Sequence, residues 1–302
     1  MDYRSAARQL SSSAPGLLVI TGALLGATPP LGKLATQHGI LPTTWAFVIS
    51  FGAGGILLCV LLWRAGGIRL TAAKLRYFAI TATISYAIPN VLMFSVIPHL
   101  GAGYASIMFT LSPIITVMLS ILLGVRRPNA LGIFGIVVGF MGAVIVASTR
   151  GQTGQPAAVL WIGLGLLIPV SLAAGNIYRT SSWPDDTTPL ELAAGSHLAA
   201  AALLLSAVMV LNEGPHLARL ADVPWLVVLQ VATATAMFAF FFRLQLVGGP
   251  VYLSQIGYVG AAVGLLVGIG LLGERYALST WAGAILIAAG VIITTRARHA
   301  NR

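Results

Sequence analysis

Charge is what this chain has least of. Only 8% of its 302 residues are charged, and seven acidic residues stand against 17 basic ones. A soluble domain carries about a quarter charged residues, so a water-facing surface of ordinary composition is excluded. The single cysteine, Cys59, rules out an internal disulfide and a thiolate metal cluster, and no metal or cofactor is expected. The sequence has no H-E-x-x-H, no G-x-S-x-G and no pair of membrane-embedded aspartates, which argues against an intramembrane enzyme. Connections between apolar stretches are short, leaving no room for the soluble modules of a receptor or structural protein.

What the chain does have is apolar length: 58% hydrophobic residues and a mean hydropathy of +0.93. A helix crossing the ~30 Å hydrocarbon core needs about 20 mainly apolar residues. Ten such stretches are read, at 14–35, 42–63, 74–97, 102–124, 130–148, 157–179, 188–211, 222–246, 250–272 and 278–295. Internal Pro and Gly do not argue against helices here, because neighbouring helices re-satisfy the freed backbone groups. The first stretch, after Arg4 and Arg8, is too long for a signal peptide and lacks a small-residue cleavage site; it is read as a retained helix.

The net charge of +10 would point to nucleic acid in a soluble protein. Placed between spans it reads differently. Lys33, Arg150, Arg219 and Arg275 border one side, and the other thirteen Lys and Arg residues border the side of the N-terminus. The positive-inside rule then puts both termini in the cytoplasm, most simply of a bacterial inner membrane, with the bilayer rather than nucleic acid as partner.

The second half echoes the first. Tyr104, Ser106, Thr110, Gly135 and Gly142 align with Tyr252, Ser254, Tyr258, Gly283 and Gly290 at an offset of about 148 residues, and a one-residue slip pairs Leu122-Leu123-Gly124 with Leu271-Leu272-Gly273. The expected fold is all-α, ten transmembrane helices in two five-helix repeats, residues 1–150 and 151–302. Five is odd, so the second repeat is inverted. Two inverted copies can exchange shapes around a central cavity and open it to either face, the architecture of many secondary transporters.

The segment Leu271-Leu272-Gly273-Glu274-Arg275, followed by Gly283-Ala284-Ile285-Leu286-Ile287-Ala288-Ala289-Gly290, resembles the closing signature of EamA-type members of the drug/metabolite transporter superfamily, as do Pro113 and Gly32-Lys33. The resemblance spans essentially the whole chain. It implies ten helices in two inverted repeats and export of metabolites or amino acids through a central cavity, with the YddG-like exporters of aromatic amino acids as the first subfamily to compare. The chain departs from the pattern at Val125, where an acidic residue often follows the glycine, and at Ala261, opposite Pro113.

Ionisable groups inside a membrane are costly and therefore functional candidates. No carboxylate is placed at mid-membrane, which argues against a cationic-drug antiporter and favours a neutral, zwitterionic or anionic solute. His197 is the histidine well inside a span, either a proton-coupling group or one hydrogen-bonded in a helix contact. Lys33 either snorkels to the interface or meets a substrate carboxylate. Tyr86, Asn90 and Phe94 recur every four residues on one helical face, and Thr235, Phe238 and Phe242 recur similarly in the eighth span. Interleaved rings and polar groups suit an amphipathic solute, although such stripes also arise from plain packing. Tyr104, Ser106 and Thr110, matched by Ser254 and Tyr258, and Asn176 with Tyr178, complete the candidates. Trp45, Trp63, Trp161, Trp183 and Trp225 near span ends are read as interfacial anchors, and Glu274 as a cap or an ion pair with Arg275.

The expected function is export of amino acids or similar small neutral or zwitterionic metabolites by alternating access. A nucleotide-sugar or phosphate-ester exchanger would need several cavity Lys or Arg, and only Lys33, Arg179 and Arg243 come near the membrane. A channel, and the choice between monomer and homodimer, stay open at this stage.

Overall fold

The structure is a computed structural model that describes residues 13–65, 67, 69–123, 130–148 and 159–299. Arg4, Arg8, Val125, Arg126, Arg127 and Arg150 lie outside the described residues. The described chain forms α1 (Ala14–Gln37), α2 (Pro42–Ala65), α3 (Ala72–Leu100), α4 (Ala102–Leu122), α5 (Ala130–Ser148), α6 (Val159–Ser181), α7 (Pro189–Val210), α8 (Pro224–Ser254), α9 (Ile256–Leu272) and α10 (Leu278–His299). A 3-10 segment, Gly214–Asp222, precedes α8. No strand occurs among the described residues.

Seven of these helices are long and apolar enough to cross a membrane; the remaining apolar stretches, Ala130–Gly142, Ile256–Leu272 and Leu278–Gly290, are shorter. The burial pattern is that of a membrane protein. Phe134, Val137, Phe140 and Met141 of α5 and Trp63 of α2 face outward, whereas Thr21, Ser50, His197 and Gln230 are buried inside. Large apolar side chains ringing the outside of a bundle are stable only in lipid.

Prolines shape the helices locally. Ser13 caps α1 by accepting the Gly16 N–H at 3.2 Å, and α1 runs on through Pro29 and Pro30 to Gln37. In α3 the turn Ala82–Ala87 is π-helical and is followed by Pro89. Proline has no N–H for the carbonyl four residues back and its ring crowds that carbonyl, so widening the turn by one residue relieves both conflicts. In α4 a 3-10 turn at Phe109–Leu111 stands in the same relation to Pro113.

Helices meet through glycines. The packed pairs include α5 with α10, α2 with α7, α1 with α9 and α4 with α9. A β-carbon on Gly26 would overlap the Gly260 carbonyl of α9, one on Gly264 the Ser106 hydroxyl of α4, and one on Gly290 the Gly139 amide of α5. In lipid such close backbone approach supplies most of the packing attraction. Gly26→Ala is therefore expected to destabilise the protein by about 1–3 kcal/mol, the usual cost of overpacking, measured as denaturant-induced unfolding in detergent. An Ala at Gly163 of α6, which has open space around it, should cost nothing by this route.

Two ion pairs tie distant segments. Lys74 at the start of α3 meets Glu191 at the start of α7 at 2.6 Å. Lys33 near the end of α1 meets Glu274, between α9 and α10, also at 2.6 Å. Left-handed Gly273 (φ 64°) turns the chain out of α9 and sets the Glu274 N–H on the Gly268 carbonyl at 3.0 Å. The Glu274 carboxylate accepts the N–H groups of Ala102 at 2.9 Å and Gly103 at 3.0 Å, the unpaired donors that begin α4, and the Tyr276 hydroxyl. One side chain thus fastens α1 to the N-terminus of α4, where the helix dipole also favours a negative charge. Glu274 pairs with Lys33 and not with Arg275, which corrects the local reading, and Lys33 does not snorkel alone. Trp45 is also no surface anchor: it is 0% exposed, while Trp63 is 84% and Trp225 56% exposed.

Candidate functional site

At the centre of the bundle lies a cavity of ≈ 70 Å³ lined by residues of α1, α2, α3, α4, α6, α8 and α9. Its wall is built from helical faces at i, i+3, i+4 and i+7: Tyr86, Pro89, Asn90 and Met93 from α3, and Ala234, Met237, Phe238 and Phe241 from α8. Thr28, Phe109, Ser112 and Ser254 add hydroxyls and a ring from α1, α4 and the α8–α9 junction. The environment is apolar with few polar groups, the usual make-up of a small-molecule site.

Five of the residues singled out in the sequence reach this wall: Tyr86, Asn90, Asn176, Phe238 and Ser254. The others do not. Phe94 is buried against Gly32 of α1, because steps of four residues drift about 40° each on a helix and two steps carry it some 80° from Tyr86. Ser106 and Thr110 donate to their own helix, at 2.8 Å to the Ala102 carbonyl and 2.6 Å to the Ile107 carbonyl, the common fate of hydroxyls in apolar helices. Tyr104 is buried in the hydrophobic core and Tyr258 is half-buried beside it. Thr235 bonds the Val231 carbonyl, and Phe242 is fully buried against Trp183 and Phe241. Lys33 is engaged by Glu274, away from the wall.

His197 of α7 sits one layer behind the cavity. Its ring stacks on Tyr86 (centroids 4.1 Å apart) and on Phe238 (3.9 Å), it is 0% exposed, and neither ring nitrogen has a hydrogen-bond partner. A proton would have to pass two wall rings to reach it, and the imidazolium would find no counter-charge there. As placed, the ring acts as packing support for Tyr86 and Phe238.

The sequence places Arg179 both among the orienting basic residues and among the three that come near the membrane; in the fold it lines the cavity and is 1% exposed. Its Nε donates to Gln245 Oε1 at 3.1 Å and its Nη2 to Asn176 Oδ1 at 2.6 Å, while Cζ lies 4.9 Å from the Phe241 ring centroid. Gln245 is held in turn by donating to Thr180 at 3.3 Å. Nη1 has no partner. Only the i, i+3 spacing of Asn176 and Arg179 on one helix face hinted at this arrangement in the sequence.

Residues 13–148 match the EamA-like transporter family. The chain is 26% identical over 259 residues to the "Uncharacterized inner membrane transporter YedA" of Escherichia coli strain K12, an alignment covering 83% of this chain and 81% of the relative. Proteins of the same name from the O6:H1 and O157:H7 strains match to the same extent. A crystal structure of a protein of 18% identity superposes with a TM-score of 0.63, covering 94% of this chain and 98% of that one; at that identity the likeness speaks for the fold alone. The described residues form helices with an apolar exterior around a polar-spotted central cavity, and the first half of the chain is similar to EamA-like transporters, so over that part the chain resembles integral membrane transporters.

Proposed function

We propose that the protein is a secondary transporter that exports amino acids or similar small neutral or zwitterionic metabolites across a bacterial inner membrane, by alternating access between two inverted five-helix repeats, 1–150 and 151–302, all ten helices crossing the bilayer. The observation that carries this reading is the central cavity, whose wall draws on both halves of the chain: Tyr86 and Asn90 from the first, Asn176 and Phe238 from the second. The packed pairs support the inversion, since α5 with α10, α2 with α7 and α4 with α9 each join a helix to its counterpart five places on, as a two-fold axis through the bundle would require. The name of the relative YedA supports the inner membrane, and the excess of basic residues on one side supports cytoplasmic termini. Among the described residues no carboxylate lines the cavity and one guanidinium does, which disfavours both a cationic drug and a doubly charged phosphate ester.

Counterflow in proteoliposomes tests the reading. Vesicles preloaded with unlabelled neutral or aromatic amino acids are expected to accumulate the labelled compound transiently and saturably. Steady, non-saturable uptake would indicate a channel, and uptake confined to phosphorylated metabolites would replace the substrate class.

A further inference from the structure

We propose that Arg179 is the receptor for a carboxylate on the transported solute, and that this carboxylate, rather than an ammonium group, is what the site requires. The inference rests on the transporter reading and names the chemistry of its cargo.

A buried cation without a counter-charge is strongly unfavourable unless something compensates it. Lys33 and Lys74 have theirs, in Glu274 and Glu191. Arg179 has none: among the described residues no carboxylate contacts it, and two neutral amides and an aromatic face are its whole support. Those contacts fix the plane of the guanidinium through Nε and Nη2 and leave Nη1 unpaired at the cavity. An arginine built only to hold α6 against α8 would not need a third nitrogen kept dry and unbonded.

A second orphan stands beside it. The Ser85 hydroxyl, in the π-helical turn of α3, is buried, lines the same cavity and has no partner. Between the two lies Gly175 of α6: a β-carbon there would overlap the Ser85 hydroxyl and come within 3.1 Å of Arg179 Nη1. The missing side chain therefore lets the Ser85 hydroxyl pack onto α6 close to Arg179 Nη1, so one hydroxyl donor and one charged donor stand together without partners, and two such donors call for an acceptor. The unpartnered hydroxyl of Tyr86 adds a third donor to the same cavity.

Charge decides which acceptor. One carboxylate neutralises one guanidinium, whereas a phosphate monoester brings about two negative charges near neutral pH and, among the described residues, finds no second cation on the wall. Guanidinium nitrogens favour carboxylate oxygens in geometry as well. An α-ammonium on the solute would meet only neutral oxygens, the Asn90 amide and the wall hydroxyls of Thr28, Ser112 and Ser254, and among the described residues no anion, so it is tolerated and not required. The solute class is a small monocarboxylate with an apolar or aromatic body, amino acids included.

The test is equilibrium binding to the purified full-length protein in detergent, run beside counterflow, with L-phenylalanine, 3-phenylpropionate and L-phenylalaninamide as probes and propionate with propionamide as a smaller pair. Both acids of the phenyl series, or the smaller acid, are expected to bind and the corresponding amide not to. Arg179→Gln should weaken acid binding about 10- to 100-fold, the loss for a charge-assisted hydrogen bond in a dry site. Arg179→Lys should lose less, because the charge remains while the fork is gone. The melting temperature of unliganded Arg179→Gln should not fall, since an uncompensated charge has been removed; if it does fall, the acid-over-amide preference of Arg179→Lys decides instead. The proposal is overturned, with the transporter reading intact, if amide binds as well as acid, if Arg179→Gln keeps the preference for acid, or if counterflow succeeds only with solutes lacking a carboxylate. Absence of counterflow with every solute would overturn both.

Discussion

Glu274→Ala is expected to cost about 3–5 kcal/mol of stability, the range for breaking a buried pair by removing one partner. Four donors lose this acceptor together: the Lys33 ammonium, the Ala102 and Gly103 N–H groups and the Tyr276 hydroxyl. The Lys33 ammonium would be left with little solvent to replace the carboxylate, its side chain being 13% exposed, and at the start of α4 the Ala102 N–H would be uncapped while the Gly103 N–H would keep only the Tyr276 hydroxyl oxygen at 3.0 Å. Glu274→Gln keeps an acceptor and should cost roughly half as much. Adding Lys33→Met to Glu274→Gln should recover part of the loss, since the orphaned charge goes with it, and a double-mutant cycle on unfolding in detergent reads that coupling.

The same residue gives a pH dependence of known sign. Glu274 lies in the connection between α9 and α10, outside the spanning segments. Burial alone would push its carboxyl up, but the Lys33 ammonium, the Tyr276 hydroxyl and the two N–H groups of α4 outweigh burial and hold it below the ordinary glutamate value. A group whose folded pKa is depressed contributes its stability in full above the unfolded value, about 4.3, and loses it as the pH falls from there through the folded value. Stability should therefore drop on acidification below about pH 4.3, and Glu274→Gln should flatten that part of the profile. A profile identical in the variant would show that the ion pair contributes nothing.

The second large effect is functional. Asn90→Ala is expected to lower transport about tenfold or more, the loss of at least one hydrogen bond to a solute in a dry cavity, with membrane expression unchanged. Asn90 is half-buried on the cavity wall and makes no hydrogen bond to other described residues, so its amide serves nothing structural that the substitution would break. Tyr86→Ala is a poorer probe. The ring stacks on His197 and meets Phe238 edge-on at 5.2 Å, and emptying that space should cost about 3–5 kcal/mol in folding. Tyr86→Phe separates the roles, because the hydroxyl has no partner in the protein. It should leave stability unchanged and reduce transport. Full counterflow in both Asn90→Ala and Tyr86→Phe would remove this cavity as the solute's binding place.

The helical class and the position of most spans were legible because the length of an apolar run is nearly all that a bilayer asks of a helix. The cavity was legible where one face of one helix carries the pattern, as at Tyr86 and Asn90. It was not legible where the pattern depends on drift, and Phe94 turned to α1 for that reason. Arg179 was hidden by its place two residues from the end of α6, where a basic residue ordinarily reports topology. Nothing local could reveal that Gln245, 66 positions away, and Asn176 hold it inside. The Lys33–Glu274 pair, 241 positions apart, is likewise a product of the tertiary arrangement alone.

The π-helical turn in α3 also bears on how this family of shapes can diverge. Loops at the ends of helices absorb inserted or lost residues without moving a wall. Between Ala82 and Ala87 the helix already holds one residue more per turn than the α form, directly ahead of the cavity face. Losing one residue there would restore an unbroken α-helix and keep Asn90 and Met93 on nearly the same face, because six π residues turn the chain about as far as five α residues at ~100° each. A single-codon deletion at this point would shorten α3 and leave both the downstream wall and the bundle standing.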